Sequence, residues 1–187
     1  MKKSVLLSVA AAMLISIASY GQNSKLVSSK TNIRFFSTTP AENIEANNTA
    51  SVSTINKETG EVVFSVPMQG FEFEKALMQK HFNSDKFLST QEFPKAKLNA
   101  KITNPAQVNF AKDGTYSADV EGDLTLKGVT KPIKEKGTVT VKGNVVEVKS
   151  KFNVTLADYG VAFEKGKPST NIAKTVEVTV HGEYQPE

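Results

Sequence analysis

The sequence predicts an all-β fold in which about eight antiparallel strands close into a barrel. Apolar and polar residues alternate with period two over long stretches, as from Ala96 to Ile102, the pattern of a strand with one face buried. Turn chemistry separates the stretches, at Thr59-Gly60, Asp113-Gly114 and Gly143-Asn144. There is no strand–helix–strand rhythm and no fixed repeat, so a parallel sheet or a solenoid is not expected.

Taken in order, Leu26 to Thr38 is the first strand, with Ile33 and Phe35 on one face and Phe36 on the other. Ile44 to Ile55 follows, weakly patterned, with Ala46, Ala50 and Val52 placed for burial. Asn56 to Gly60 is a turn. Glu61 to Gln69 then puts Val62, Phe64, Val66 and Met68 on one side, and Pro67 there points to an edge or a bulge.

The alternation stops between Phe71 and Pro94. Phe73, Leu77 and His81 are spaced four apart, so the period becomes that of a helix. A short, Phe-rich helical insert among strands is suited to covering the open end of a curled sheet, either as ordinary core or as the lid of a cavity. After the strand from Lys95 to Ile102, Val108 and Phe110 lead into Asp113-Gly114, read as a hairpin turn. Tyr116 to Leu126 is a long strand with Gly122 suggesting a bend, and Gly128 to Pro132 turns the chain again. Val139 and Val141 precede the Gly143-Asn144 turn. Val146, Val148, Ser150, Phe152, Val154 and Leu156 form a second long inward row, and Ile172 to Tyr184 closes the sheet.

The 187 residues suit one domain with a real core. Residues 1–21 read as a signal peptide: Lys2 and Lys3, an apolar run from Val5 to Ile17, then Ser19-Tyr20-Gly21 as a small-x-small cleavage site. The run is shorter than the roughly 20 residues of a spanning helix. The expected mature domain is 22–187, exported to the periplasm or secreted, with no membrane segment left after cleavage. With no cysteine it has no disulfide and no thiol chemistry. Losing Lys2 and Lys3 lowers the net charge from +4 to about +2. Arg34 is the sole arginine, so clustered guanidinium contacts to nucleic acid are not expected.

No catalytic constellation is legible. His81 and His181 are far apart and neither belongs to a metal-ligand spacing. There is no G-x-S-x-G and no Gly-rich phosphate loop. The expectation is a protein that is not an enzyme, with no catalytic residue, no metal and no cofactor.

Three blocks resemble the YceI-like family in order and spacing. They are Asp85-Lys86-Phe87 with Phe93-Pro94, the run from Gly122 through Leu124-Thr125-Leu126-Lys127-Gly128-Val129-Thr130-Lys131-Pro132 to Ile133, and the run from Phe152 to Gly160. The middle block is the most specific. The resemblance spans roughly Ser29 to Tyr184 and implies an extended, lipocalin-like barrel in the periplasm with a polyisoprenoid or another amphiphilic lipid in its tunnel. The chain departs from the family pattern at Lys30 to Phe36, which lacks an Asp and a His-Ser pair. It departs also at Gln79 to Phe82, which keeps only His81 of a longer polar motif, and at Leu156, where an Arg is common.

The ligand would be a long-chain lipid or isoprenoid. Its expected tunnel wall and lid are Phe64, Met68, Phe73, Leu77, Phe82, Phe87, Leu98, Leu124, Leu126, Phe152 and Val154, with His81 as a candidate polar contact. An edge strand near Pro67 leaves room for a homodimer. The alternative reading is an envelope or stress accessory protein whose barrel core is filled.

Overall fold

The computed structural model describes residues 24–39, 42–161, 163–164, 167–168 and 172–187; the expected signal peptide and part of the Lys165–Pro168 loop lie outside them. Strands β1 (Lys25–Thr38), β2 (Asn43–Asn48), β3 (Val52–Asn56), β4 (Glu61–Pro67) and β5 (Phe71–Phe73) precede helix α1 (Ala76–Asn83). After it come β6 (Lys95–Ile102), β7 (Gly114–Leu126), β8 (Val129–Lys142) and β9 (Val145–Thr155). A two-stranded ribbon of β10 (Phe163–Glu164) and β11 (Lys167–Pro168) leads to β12 (Thr175–Pro186).

The strand order β12-β9-β8-β7-β6-β4-β3-β1, with β12 pairing back onto β1, makes a closed, eight-stranded antiparallel barrel. Closure runs from Leu26↔Pro186 to Phe36↔Glu177, with a register shift between Ser28 and Lys30. That bulge switches the inward parity of β1, so Leu26 and then Thr31, Ile33 and Ser37 all face the interior. On the outside, Arg34 of β1 clasps Glu45 of β2 with two hydrogen bonds of 2.5 and 2.6 Å and lies over the Phe36 ring. The Glu45 carboxylate is held below its ordinary range by that guanidinium.

At one end, β2 continues along β1 beyond β3, and β5 pairs with β2 from Ala46↔Phe73 to Asn48↔Phe71. The stretch expected as one strand from Ile44 to Ile55 is thus two, broken at Thr49–Ser51. Asn48 makes the break: its fully buried side chain donates to the Pro67 carbonyl and accepts from the Ala50 amide and the Ser51 hydroxyl. The inward places fall to Ser51 and Ser53, leaving Ala50 exposed and Val52 59% exposed rather than buried.

Four further expectations change. The helix is shorter than the period implied, because Phe73 belongs to β5; Leu77 is 62% exposed and Phe82 is the buried residue. Val108 and Phe110 lie in a connection rather than a strand, and Asp113-Gly114 opens β7 instead of joining two strands. The β7–β8 turn is only Lys127-Gly128, both at positive φ (49° and 74°), the two-residue geometry that matches strand twist. Pro132 falls inside β8. Pro67 terminates β4, which has β3 and β6 on its two sides, so it does not mark a free edge.

Candidate functional site

The interior is hollow. A cavity of about 220 Å³ runs inside the barrel, and its wall is built from the inward rows of the strands. Each row follows from period two: Val62, Phe64 and Val66 on β4; Ala96, Leu98 and Ile102 on β6; Val120, Leu124 and Leu126 on β7; Val148, Phe152 and Val154 on β9. Small inward residues, among them Ala96, Ala118 and Gly137, stand between large ones and leave the volume open.

Five phenylalanines stop the cavity at the α1 end. Phe82 stacks on Phe35 with ring centroids 5.6 Å apart and meets Phe71, Phe73 and Phe87 at 5.5, 5.0 and 6.2 Å. Such ring pairs add about 0.5–1.5 kcal/mol each beyond their buried area. Toward the other end Tyr184, fully buried, shares a 2.7 Å hydrogen bond with Ser53. Burial pushes the Tyr184 phenol up to about 12, against the opposing hydrogen bond from Ser53.

Of the residues expected to form the wall, Phe64, Met68, Phe82, Phe87, Leu98, Leu124, Leu126, Phe152 and Val154 line the cavity. Phe73 instead packs into the ring cluster, Leu77 points to solvent, and His81 is exposed on the far side of α1. The cause is one displaced start: with the helix beginning at Ala76, the face toward the barrel is Met78, Gln79 and Phe82.

Among the described residues only two side chains in the wall are polar, Glu135 and Ser150. Neither stood out as a candidate in the sequence. The signal was present, since Ile133, Glu135, Gly137, Val139 and Val141 share a parity and the last two are buried. Burial raises the Glu135 carboxyl above the ordinary carboxylate range. Among the described residues no group of three or more His, Cys, Asp or Glu could hold a metal ion, and no helix is long and apolar enough to cross a membrane.

Comparison with known proteins agrees with this architecture. A polyisoprenoid-binding domain from Saccharophagus degradans, implicated in plant cell wall breakdown, superposes with a TM-score of 0.72 at 16% identity, covering 87% of this chain and 98% of that one. BcnA of Burkholderia cenocepacia gives 0.67 at 12% identity, over 82% and 95%. A Campylobacter jejuni YceI protein gives 0.57 at 12%, over 74% and 81%. Among curated sequences, a UPF0312 protein of Shewanella denitrificans is 28% identical over 119 residues, 60% of this chain and 59% of its own length. One of Pseudomonas putida is 33% identical over 112 residues, 57% and 53%. The chain thus spans little more than half the length of these curated relatives. The YceI-like domain itself matches residues 22–184, nearly all of the chain beyond the expected leader, and this protein belongs to the YceI-like family.

Proposed function

We propose that this protein is an exported binding protein, not an enzyme, that holds one amphiphilic lipid, a polyisoprenoid by preference, with its apolar chain in the barrel. The observation that carries the reading is the continuous apolar cavity inside a closed barrel, interrupted among the described residues by two polar side chains alone. Apolar surface of this kind binds a chain by area, at roughly 25 cal/mol per Å² buried, and needs polar groups only where the ligand's head emerges. The likeness to a polyisoprenoid-binding domain favours an isoprenoid over a straight acyl chain. The leader-like residues 1–21 support delivery to the periplasm, where such a lipid would be met.

Native mass spectrometry of the protein purified from its own kind of cell, followed by solvent extraction, tests this. The expected result is a stoichiometric bound species with a long apolar tail. A mass equal to the bare polypeptide, with no uptake of an offered isoprenoid, would overturn the reading in favour of a structural accessory role.

A further inference from the structure

The barrel wall is not paired along its full height. β8 and β9 are in register only from Gly137↔Ser150 to Lys142↔Val145, although β8 begins at Val129 and β9 ends at Thr155. Over the unpaired stretch β8 keeps its ladder to β7, through Gly122↔Ile133 to Leu126↔Val129, and β9 keeps its own to β12, through Val154↔Val176 and Thr155↔Thr175. The two sides of the barrel therefore part here, and a second cavity of about 210 Å³ lies between them.

The chain is built for that parting. Pro132 has no amide hydrogen to give a ladder, so it suits a stretch with a partner on one side, here Asp123 of β7. At the apex of the seam the Ser150 hydroxyl donates to the Lys136 carbonyl at 2.7 Å, satisfying an acceptor where strand pairing ends. Gly137, opposite Ser150, adds no side chain to close the gap.

The seam leads into the main cavity, because Leu124, Ile133, Glu135, Phe152 and Val154 line both. Its outer lip is polar, with Lys131, Lys134, Asn153, Thr155 and Asp158. At the α1 end, by contrast, the phenylalanine rings are in mutual contact.

Glu135 sits on the inner lip. Among the described residues it has neither a hydrogen-bond donor nor an ion-pair partner. Its sequence neighbours are committed outside the barrel, Lys134 to Glu121 at 3.1 Å and Lys136 to Asp119. A carboxylate is an acceptor only, and this one, half-buried between the seam and the apolar wall, is partly withdrawn from water.

We infer, on the reading that the barrel holds an amphiphilic lipid, that the seam between β8 and β9 seats the ligand's polar end and that Glu135 accepts a hydrogen bond from it. The head group is accordingly a hydrogen-bond donor without negative charge, such as an alcohol, amide or amine. A phosphate or carboxylate end would meet Glu135, unpaired among the described residues, at like charge in a half-buried place.

The test is an affinity series on the delipidated full-length protein, using ligands that share one long chain and end in hydrocarbon, alcohol, amine, carboxylate or phosphate monoester. A hydrogen bond to a charged group is worth about a tenfold change in affinity or more. The alcohol and amine should bind about tenfold tighter than the carboxylate and phosphate. Glu135→Leu should erase that advantage while leaving hydrocarbon affinity unchanged, and Glu135→Gln should retain the alcohol better than the amine. Equal or tighter binding of the anions overturns the inference, most directly if Lys131→Ala then weakens them. So does an unaltered head-group preference in Glu135→Leu. If no ligand binds, hydrocarbon included, the lipid-holding reading falls as well; retention of the hydrocarbon is what separates the two failures.

Discussion

Replacing Phe82 with alanine tests what holds the helix over the barrel end. α1 has no side-chain cap and no acidic residue in its first turn, and its eight residues are too few to be helical alone. Lys80 and His81 in the last turn complement the helix dipole, but exposed charges there contribute only tenths of a kcal/mol. Packing must do the rest. Phe82 is 7% exposed and touches four other rings. A buried Phe→Ala change costs about 3–5 kcal/mol. The cavity beside Phe82 means that it has fewer neighbours to lose than a ring in a filled core, which places the expected cost at about 3 kcal/mol. For a domain of this size that is a fall in Tm of roughly 6–12 °C. Leu77→Ala, at a residue 62% exposed, should stay within about 0.5 kcal/mol. Urea unfolding of both variants, followed by circular dichroism, measures the difference. A cost below about 1 kcal/mol for Phe82→Ala, or equal costs for the two, would refute the assignment of Phe82 as the anchor.

Three further outcomes follow from single positions. Tyr184→Phe strands the buried Ser53 hydroxyl and should cost about 1–2 kcal/mol by urea unfolding; adding Ser53→Ala should recover part of it, and additive losses would show that the pair is not coupled. A Cβ at Gly122 would stand 2.3 Å from both the Ala100 Cα and the Asn99 carbonyl oxygen, so Gly122→Ala must push β6 and β7 apart; a loss of more than about 2 kcal/mol is expected, and a neutral result would contradict the close approach. Glu135 has its folded carboxyl raised by burial, so the native state holds its proton longer than the unfolded chain does. Its contribution is favourable below the ordinary Glu range and is lost as pH rises through the raised value. Glu135→Gln should therefore stabilise the protein more at pH 7 than at pH 4, and an equal effect at both would remove the basis for a desolvated carboxyl.

The strand rows were readable because a one-sided strand writes its burial directly as period two. Val62-Phe64-Val66, Ala96-Leu98-Ala100-Ile102 and Val146-Val148-Ser150-Phe152-Val154 all face inward as their alternation requires. The failures have local causes. Phe73, Leu77 and His81 imitate a helical face, but pairing of β5 with β2 claims Phe73 before the helix begins. Val52 departs from its expected inward place because Asn48 breaks the strand and resets which residues point inward. The seam was illegible for a different reason: a missing ladder between β8 and β9 leaves no mark on alternation, which reports the face of a residue and not whether its backbone has a neighbour. Pro132 is the available sign, but turn chemistry from Gly128 to Pro132 implies a longer turn than the Lys127-Gly128 pair that the chain uses.

Glu135 also bears on whether the barrel is filled or hollow. In a filled core an inward carboxylate with no donor would cost several kcal/mol, a large share of the stability of an ordinary domain. Packing the same row with leucine would avoid that cost. The position is tolerable here because the seam beside it opens to polar residues and leaves the side chain half-buried, while the wall on its other side borders unfilled volume. The carboxyl, the unpaired strands and the cavity are thus mutually dependent: closing the seam would bury Glu135, and filling the cavity would leave the carboxyl nothing to face. A filled-core accessory protein explains the barrel's closure through β1 and β12 as well as a carrier does, but it accounts for none of these three.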